Sequence, residues 1–193
     1  MKNVILLIDG ENFCFKLEEV FASKQIKMPD ISKLNLNKLT SVLSTRLKFP
    51  NSIETRYYTA KIHSYKQTKN KSEKLIARQR RFKNSLEKQG VCFEIAGNVR
   101  LLNNSKKNPV FKEKGVDVKI AVDMVSFGYK KSFDTIILCS SDSDLQPAIK
   151  EAKSQGLKII YLGFKIKPNK GLIYTTDKTI LLNNKDVFNL FHS

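Results

Sequence analysis

The sequence predicts an α/β fold, a parallel sheet with helices on both faces. Two observations carry the prediction. Val4–Ile8, Thr135–Cys139 and Leu157–Leu162 are short apolar runs of the kind that form strands buried on both sides. Helical patterns lie between such runs, and strands alternating with helices at this rhythm build a parallel sheet. A third observation says where to look for chemistry. Asp9 directly follows the first run, and Ser140, Ser141, Asp142, Ser143 and Asp144 follow Thr135–Cys139. In open α/β sheets the carboxyl ends of the strands are where ligands bind.

Taken in order, Val4–Ile8 ends in Asp9-Gly10-Glu11-Asn12. Gly10 permits a tight turn there, and Asn12 is placed to cap a helix running to about Val20. Ser23–Lys33 is polar, contains Pro29 and reads as loop. Asn35 or Asn37 caps a second helix to about Leu47, with Leu36, Leu39, Val42, Leu43 and Leu47 at helical spacing. Ile53–Ala60, rich in β-formers, is the second strand. From Lys61 to Lys88 the chain is densely basic, yet Leu75, Ile76, Phe82 and Leu86 make a helical stripe that ends at Gly90. Val91–Ala96 is the third strand, and Gly97–Lys114 a polar loop or hairpin. Gly115–Phe127 is helical, with Val118, Ala121, Val122 and Val125 inward. Thr135–Cys139 leads into a helix with Leu145, Ala148, Ile149 and Ala152 at apolar spacing, and Leu157–Leu162 is the next strand. In the Lys- and Asn-rich tail, Thr179–Leu182 reads as one more strand and Asp186–Phe191 as a short helix. The expected division is a domain over residues 1–163 and an extension, 164–193, packed on or continuing it.

Composition narrows the function. A chain of 193 residues can bury a real core as one domain. Lys plus Arg number 35 against 18 Asp plus Glu, a formal charge of +17 that implies a polyanionic partner. No apolar run approaches the roughly 20 residues of a membrane span, and the first run is too short for a signal-peptide core. Cys14, Cys92 and Cys139 are odd in number and set in apolar surroundings. They read as buried thiols of a reducing, cytoplasmic compartment. With His63 and His192 the only histidines, chemistry here must run on carboxylates. Dinucleotide and P-loop signatures are absent. Oligomeric state is not legible, and a homodimer is left open.

Four acids belong to the same edge of the expected sheet: Asp9, Asp142, Asp144, and Asp117 in Lys114-Gly115-Val116-Asp117. Singly, Asp142-Ser143-Asp144 reads first as a helix cap, and Asp117 equally well as a first-turn dipole residue or a site acid. Jointly, four carboxylates repel one another and call for cations. Hard oxygen ligands without His or Cys select Mg²⁺ or Mn²⁺. Two such ions about 3.5–4 Å apart can activate water and stabilise the leaving oxygen of a phosphodiester. A basic protein with an acidic crest carries the charge pattern of a nuclease. Asn12 is either a cap or an amide orienting Asp9, and Ser140 and Ser141 are hydroxyls on the substrate side. Asp134 sits at the opposite end of its strand and reads as structural. Asp123 lies six residues after Asp117, about 240° around the helix and roughly 9 Å along it, so it is a supporting or surface acid. Nothing places Asp177 or Asp186 at the crest.

Asp9-x-x-Asn12, Lys114-Gly115-Val116-Asp117 with Ala121-Val122-Asp123-Met124, and Ser140-Ser141-Asp142-Ser143-Asp144 together resemble the NYN domain, a PIN-like nuclease family that includes the LabA-like proteins. The resemblance covers roughly residues 3–162. It implies a three-layer α/β/α PIN-like fold and metal-dependent ribonuclease chemistry. Asp9, Asp117, Asp142 and Asp144 would be its catalytic, metal-holding acids, with Asn12 as polar partner. Asp123 matches a further recurrent acid of the family, in tension with its place on the helix. Ser141 stands where Gly is common and Leu145 where an aromatic is usual, and neither change removes a ligand.

For the nucleic acid, Lys66, Lys69, Lys74, Arg78, Arg81, Lys106 and Lys107 are the expected phosphate contacts. Tyr57, Tyr58 and Tyr65 are candidates to stack an unpaired base, although alternation along a strand sends at least one of the first two inward. The leading expectation is a Mg²⁺- or Mn²⁺-dependent ribonuclease, endonucleolytic in type. The alternative is a non-catalytic RNA-binding module on the same fold. A phosphatase or glycosyltransferase using Asp142-x-Asp144 is a third. The dehalogenase-type phosphatase motif fails, because Asp9-Gly10-Glu11 lacks its second Asp.

Overall fold

The computed structural model of the protein describes residues 3–49, 52–64, 69–102 and 110–191. Among these, β1 (Val4–Asp9), β2 (Glu54–Lys61), β3 (Cys92–Leu102), β4 (Val110–Lys114), β5 (Thr135–Cys139), β6 (Lys158–Phe164) and β7 (Lys178–Leu182) form one sheet in the order β4-β3-β2-β1-β5-β6-β7. Its strands run parallel except for the antiparallel pair β3 and β4. From β1 the chain works outward through β2 and β3, then returns past β1 to β5 and works outward the other way. That reversal leaves a crevice between the carboxyl ends of β1 and β5. Ile8 pairs with Cys139 there, so Asp9 and Ser140 follow side by side.

Alternate residues of β1 feed two cores. Leu6 and Ile8 pack with Phe13 and Leu17 of α1 (Gly10–Ala22), Leu39 and Leu43 of α2 (Leu36–Leu47), and Phe82 and Leu86 of α3 (Lys69–Glu87). Ile5 and Leu7 pack with Ile120 and Met124 of α4 (Val116–Lys130), Ile149 of α5 (Gln146–Ser154) and Leu172 of α6 (Lys170–Thr175). A strand buried on both faces has no polar side to show, which is why these runs are apolar without interruption. The last helix, α7 (Asn184–Asn189), closes the chain over α1, with Phe188 edge-on to Phe21 at 5.0 Å. The tail strand β7 pairs with β6 from Ile160↔Lys178 to Phe164↔Leu182.

Of the two readings of Gly97–Lys114, loop or hairpin, the described residues support the hairpin, with β3 and β4 antiparallel from Asn98↔Lys114 to Leu102↔Val110. Other expectations are corrected. The inward face of α4 is Val116, Ile120, Asp123, Met124 and Phe127, whereas Val118 and Val122 are 61% and 57% exposed. Apolarity alone chose the valines. Packing instead takes the stripe containing Asp123, because the Tyr58 hydroxyl donates to that carboxylate at 2.8 Å and the Lys119 ammonium pairs with it at 2.6 Å. Asp123 is therefore a buried acid and not a surface one. Cys139 is buried, but Cys14 is half-buried and Cys92 exposed, all three as free thiols. A short helix, α6, appears in the tail where none was expected. No helix among the described residues is long and apolar enough to cross a membrane.

Candidate active site

Asp9 ends β1 and caps α1. Its Oδ1 accepts from the Asn12 amide N–H at 3.2 Å, and its Oδ2 accepts from Asn12 Nδ2 at 2.6 Å and Ser140 Oγ at 3.0 Å. The cap is thus Asp9, and Asn12 is the residue that orients it from the first turn. Gly10 is needed for approach and not for a turn. A Cβ there would meet the Tyr58 carbonyl oxygen at 2.5 Å and the Tyr57 ring at 2.6 Å, and its φ is not positive.

The turn after β5 is tied into the same network. Ser140 Oγ accepts from the Asp142 N–H at 3.1 Å, and Asp142 Oδ1 accepts from the Asp144 N–H at 2.9 Å. Ser141 Oγ and Asn12 Oδ1 are hydrogen-bonded. Asn169, beyond β6, donates to the Ser141 carbonyl at 2.8 Å and to Ser143 Oγ at 2.9 Å. Asp142 thus caps a short 3₁₀ turn while its carboxylate still faces the crevice. The cap reading and the site reading are both true of one residue.

Asp9, Asp117 and Asp142 line one cleft of about 390 Å³. Asp117 reaches it from the first turn of α4, which starts at Gly115 with φ 94° and no side-chain cap. Asp144 does not join them. It is exposed and lines a separate open depression with Gln146 and Lys150. Asp134 accepts from the Asn3 N–H at 2.7 Å at the other end of the sheet. Asp177 binds the Ile159 N–H and Lys153, and Asp186 completes a capping box and pairs with Arg46.

Two acids that sequence reasoning missed stand in the cleft: Glu11 and Glu113. Lys112 and Lys114 flank Glu113 on its rim. The signal was the hairpin, since an antiparallel edge strand returning into Gly115 must carry Glu113 back to the crevice. The electrostatics follow from the crowding. Burial, with the Asp142 charge adding, raises the Asp9 carboxyl above its ordinary value, although hydrogen bonds from Asn12 and Ser140 oppose this. Partial burial of its carboxyl and the charge of Asp9 raise Glu11, even though the residue as a whole is exposed. Glu113 is pushed up to about 8, first by burial and then by the charges of Glu11, Asp9 and Asp117.

Such a set suits a hard divalent cation in its chemistry: five carboxylates offer oxygen donors only, and Lys112 and Lys114 offset only part of their like charge. As the side chains stand, no three His, Cys, Asp or Glu residues among those described are arranged to hold an ion. The fit to an ion is one of donor chemistry: Asp9, Asp117 and Asp142 offer only carboxylate oxygens to the same cleft.

Of the expected phosphate contacts, Lys69, Lys74, Arg78 and Arg81 are exposed along α3. Lys66, Lys106 and Lys107 lie outside the described residues, as do Tyr65 and His192. Tyr57 and Tyr58 are both core residues, 2% and 0% exposed, so neither offers a free ring face to solvent.

The family model described as NYN domain matches residues 3–183. Over 60 residues the chain is 37% identical to an uncharacterised protein of Methanocaldococcus jannaschii, a stretch that is 31% of this chain and 25% of that protein. The match therefore spans about a quarter of that relative's length. The crystal structure of a protein of unknown function from Vibrio parahaemolyticus is similar with a TM-score of 0.63, over 94% of this chain and 93% of that one. At 16% identity this is a likeness of fold.

Proposed function

The chain belongs to the NYN domain family, and from that premise we propose that it is a metal-dependent ribonuclease, endonucleolytic, on a three-layer PIN-like fold. NYN domains are PIN-like nucleases as a family, which supports a nuclease-type enzyme acting on nucleic acid. The observation that carries the finer reading is the cleft itself: Asp9, Glu11, Glu113, Asp117 and Asp142 converge at the switch point of a protein with formal charge +17. Asp9, Asp117 and Asp142 would hold Mg²⁺ or Mn²⁺. Asp144 holds the turn through its N–H to Asp142 and adds charge at the outer edge. When bound, the cation supplies Lewis-acid polarisation of the phosphodiester and relief of the crowded negative charge.

The chain's own residues do the rest. Asn12 and Ser140 hold the Asp9 carboxylate in place, which keeps its oxygens aimed without reorganisation. Ser141 and Asn169 fix the position of Asn12 and of the Ser140–Asp144 turn. Lys112 and Lys114 on the rim, with the exposed cations of α3, draw the phosphate backbone toward an acidic site that would otherwise repel it. Residues 164–193 belong, in this reading, to the same unit, since β7 lies against β6. The free thiols fit a reducing cytoplasm.

The test is cleavage of labelled single-stranded RNA with Mg²⁺, with Mn²⁺ and with EDTA, comparing the native chain with Asp142→Asn. Asn keeps the cap and removes the charge, so the fold is preserved and cutting is expected to be lost. Metal-dependent cutting that persists in the variant would overturn this site. One observation favours the second reading, an RNA-binding module without catalysis: both Asp9 oxygens already accept hydrogen bonds. Salt-sensitive RNA binding with no cutting in any metal would decide for it.

A further inference from the structure

Beside the acidic cleft lies a second cavity, of about 420 Å³, between α1, α3 and the strands β2 and β3. The two share Glu11 and Glu113 as a common wall, so whatever occupies one is a neighbour of what occupies the other. The interior is apolar and aromatic. Tyr57 and Phe93 stack at 5.7 Å, and Phe82 stands edge-on to both at 5.2 and 6.2 Å. Leu75, Met28 and Ile31 add to the apolar lining, as does Phe15, which is 56% exposed. Polar groups line it as well: Glu18 and Thr59, besides the shared Glu11 and Glu113. Gln79 is anchored by its Nε2, which donates to the Ala60 carbonyl at 2.8 Å, and Arg78 brings a guanidinium from the same helix.

We propose that this cavity is a nucleobase subsite, taking one unpaired base of the RNA strand whose phosphodiester crosses the acidic cleft. The inference rests on the ribonuclease reading and extends it to the form of the substrate. A flat heteroaromatic ring fits a space of this size; the buried Tyr57 and Phe82 form its floor, while half-buried Phe93 and exposed Phe15 are the rings left to contact a base, the usual means of holding single strands. Anchored amide and carboxylate groups at the wall suit a base edge that carries N–H donors. Arg78, exposed on α3 and lining the cavity, is then a cation available to a phosphate of the same strand. A membrane or an apolar peptide would have no use for the shared acidic wall. A base paired in a duplex could not enter, so the strand must be single or locally opened.

The experiment uses the full chain and a set of short RNA oligonucleotides, each with one abasic residue, scanned across every position. Cleavage efficiency and equilibrium binding are both measured, for the native chain and for Leu75→Trp, which fills the cavity. Phe15→Ser is the second variant; its exposed position spares the fold if Leu75→Trp fails to give a native circular dichroism spectrum. Removal of the base at one position beside the cut is expected to lower efficiency roughly 5- to 100-fold. Both variants should show that loss on intact RNA and lose the position dependence. Cutting with equal abasic effects at all positions, alike in native and variant chains, would overturn the subsite and leave the nuclease standing. Binding without cutting, with one position-specific loss that the variants erase, would keep the subsite and overturn the catalytic reading. No RNA binding at all would overturn both.

Discussion

Asp9 carries three structural duties at once: strand end, helix cap and wall of the acidic cleft. Its charge is held by Asn12, whose carboxamide also reaches Ser141 across the switch point. On the proposal that Asp9 holds a cation, Asn12→Ala should lower nuclease activity about 10- to 100-fold, the range for removing a partner of a metal ligand. The Asp9 cap remains in that variant, so its thermal midpoint should stay near that of the native chain; a large drop would assign Asn12 to folding. Gly10→Ala should behave in the opposite way. Its Cβ would meet backbone at 2.5 Å, and overpacking of this kind destabilises by about 1–3 kcal/mol. A denaturant titration would read the loss as a lower midpoint, and an unchanged midpoint would contradict the close packing.

At the scale of elements, the β3–β4 hairpin and the start of α4 decide what the cleft contains. Glu113 enters it from an edge strand, and Asp117 from a helix that begins at a glycine with φ 94°. Burial and the neighbouring acids raise Glu113 from 4.5 to about 8. A folded value above the unfolded one means that folding favours the protonated acid. Without a cation, that contribution is intact below about pH 4.5 and is lost as pH rises toward about 8. Glu113→Gln should accordingly raise the thermal midpoint at pH 8 in EDTA while changing it little at pH 4. A variant equally or less stable at pH 8 would refute the crowding. On the far side of the sheet, Tyr58 and Asp123 join β2 to α4. Tyr58→Phe leaves a buried carboxylate with one donor fewer, a loss of about 1–3 kcal/mol measurable by chemical denaturation.

The whole molecule combines a strongly basic composition with an acidic crevice, and on the proposed function that combination should make RNA affinity depend on salt. Exposed Lys74 and Arg81 lie on α3, whose Leu75, Arg78 and Gln79 line the cavity sharing a wall with the cleft. Removing either should weaken binding across sequences alike and reduce the slope of log K against log salt by roughly 0.7 for each phosphate no longer neutralised. An unchanged slope in Lys74→Ala and Arg81→Ala would place the RNA on another face.

The strand–helix alternation, the switch-point acids and the positive charge are all legible in the order of residues, because they depend on local pattern and composition. Val4–Ile8 and Thr135–Cys139 are apolar throughout since both faces of their strands are covered. Asp9, Asp117 and Asp142 could be named because the ends of such strands, and of the helices that follow them, have known positions on the sheet. What the chain could not reveal locally was rotation and return. The buried face of α4 was misread from its valines, since the Tyr58 hydroxyl and the Lys119 ammonium together make an inward Asp123 tolerable. Asp144 shares a motif with Asp142 yet faces another depression, because one 3₁₀ turn separates their directions. Glu113 and the aromatic cavity come from residues far apart in the chain, brought together by pairing and packing. Periodicity acts over a few residues and is written in the sequence, while convergence of distant side chains is decided only when the strands and helices close on one another.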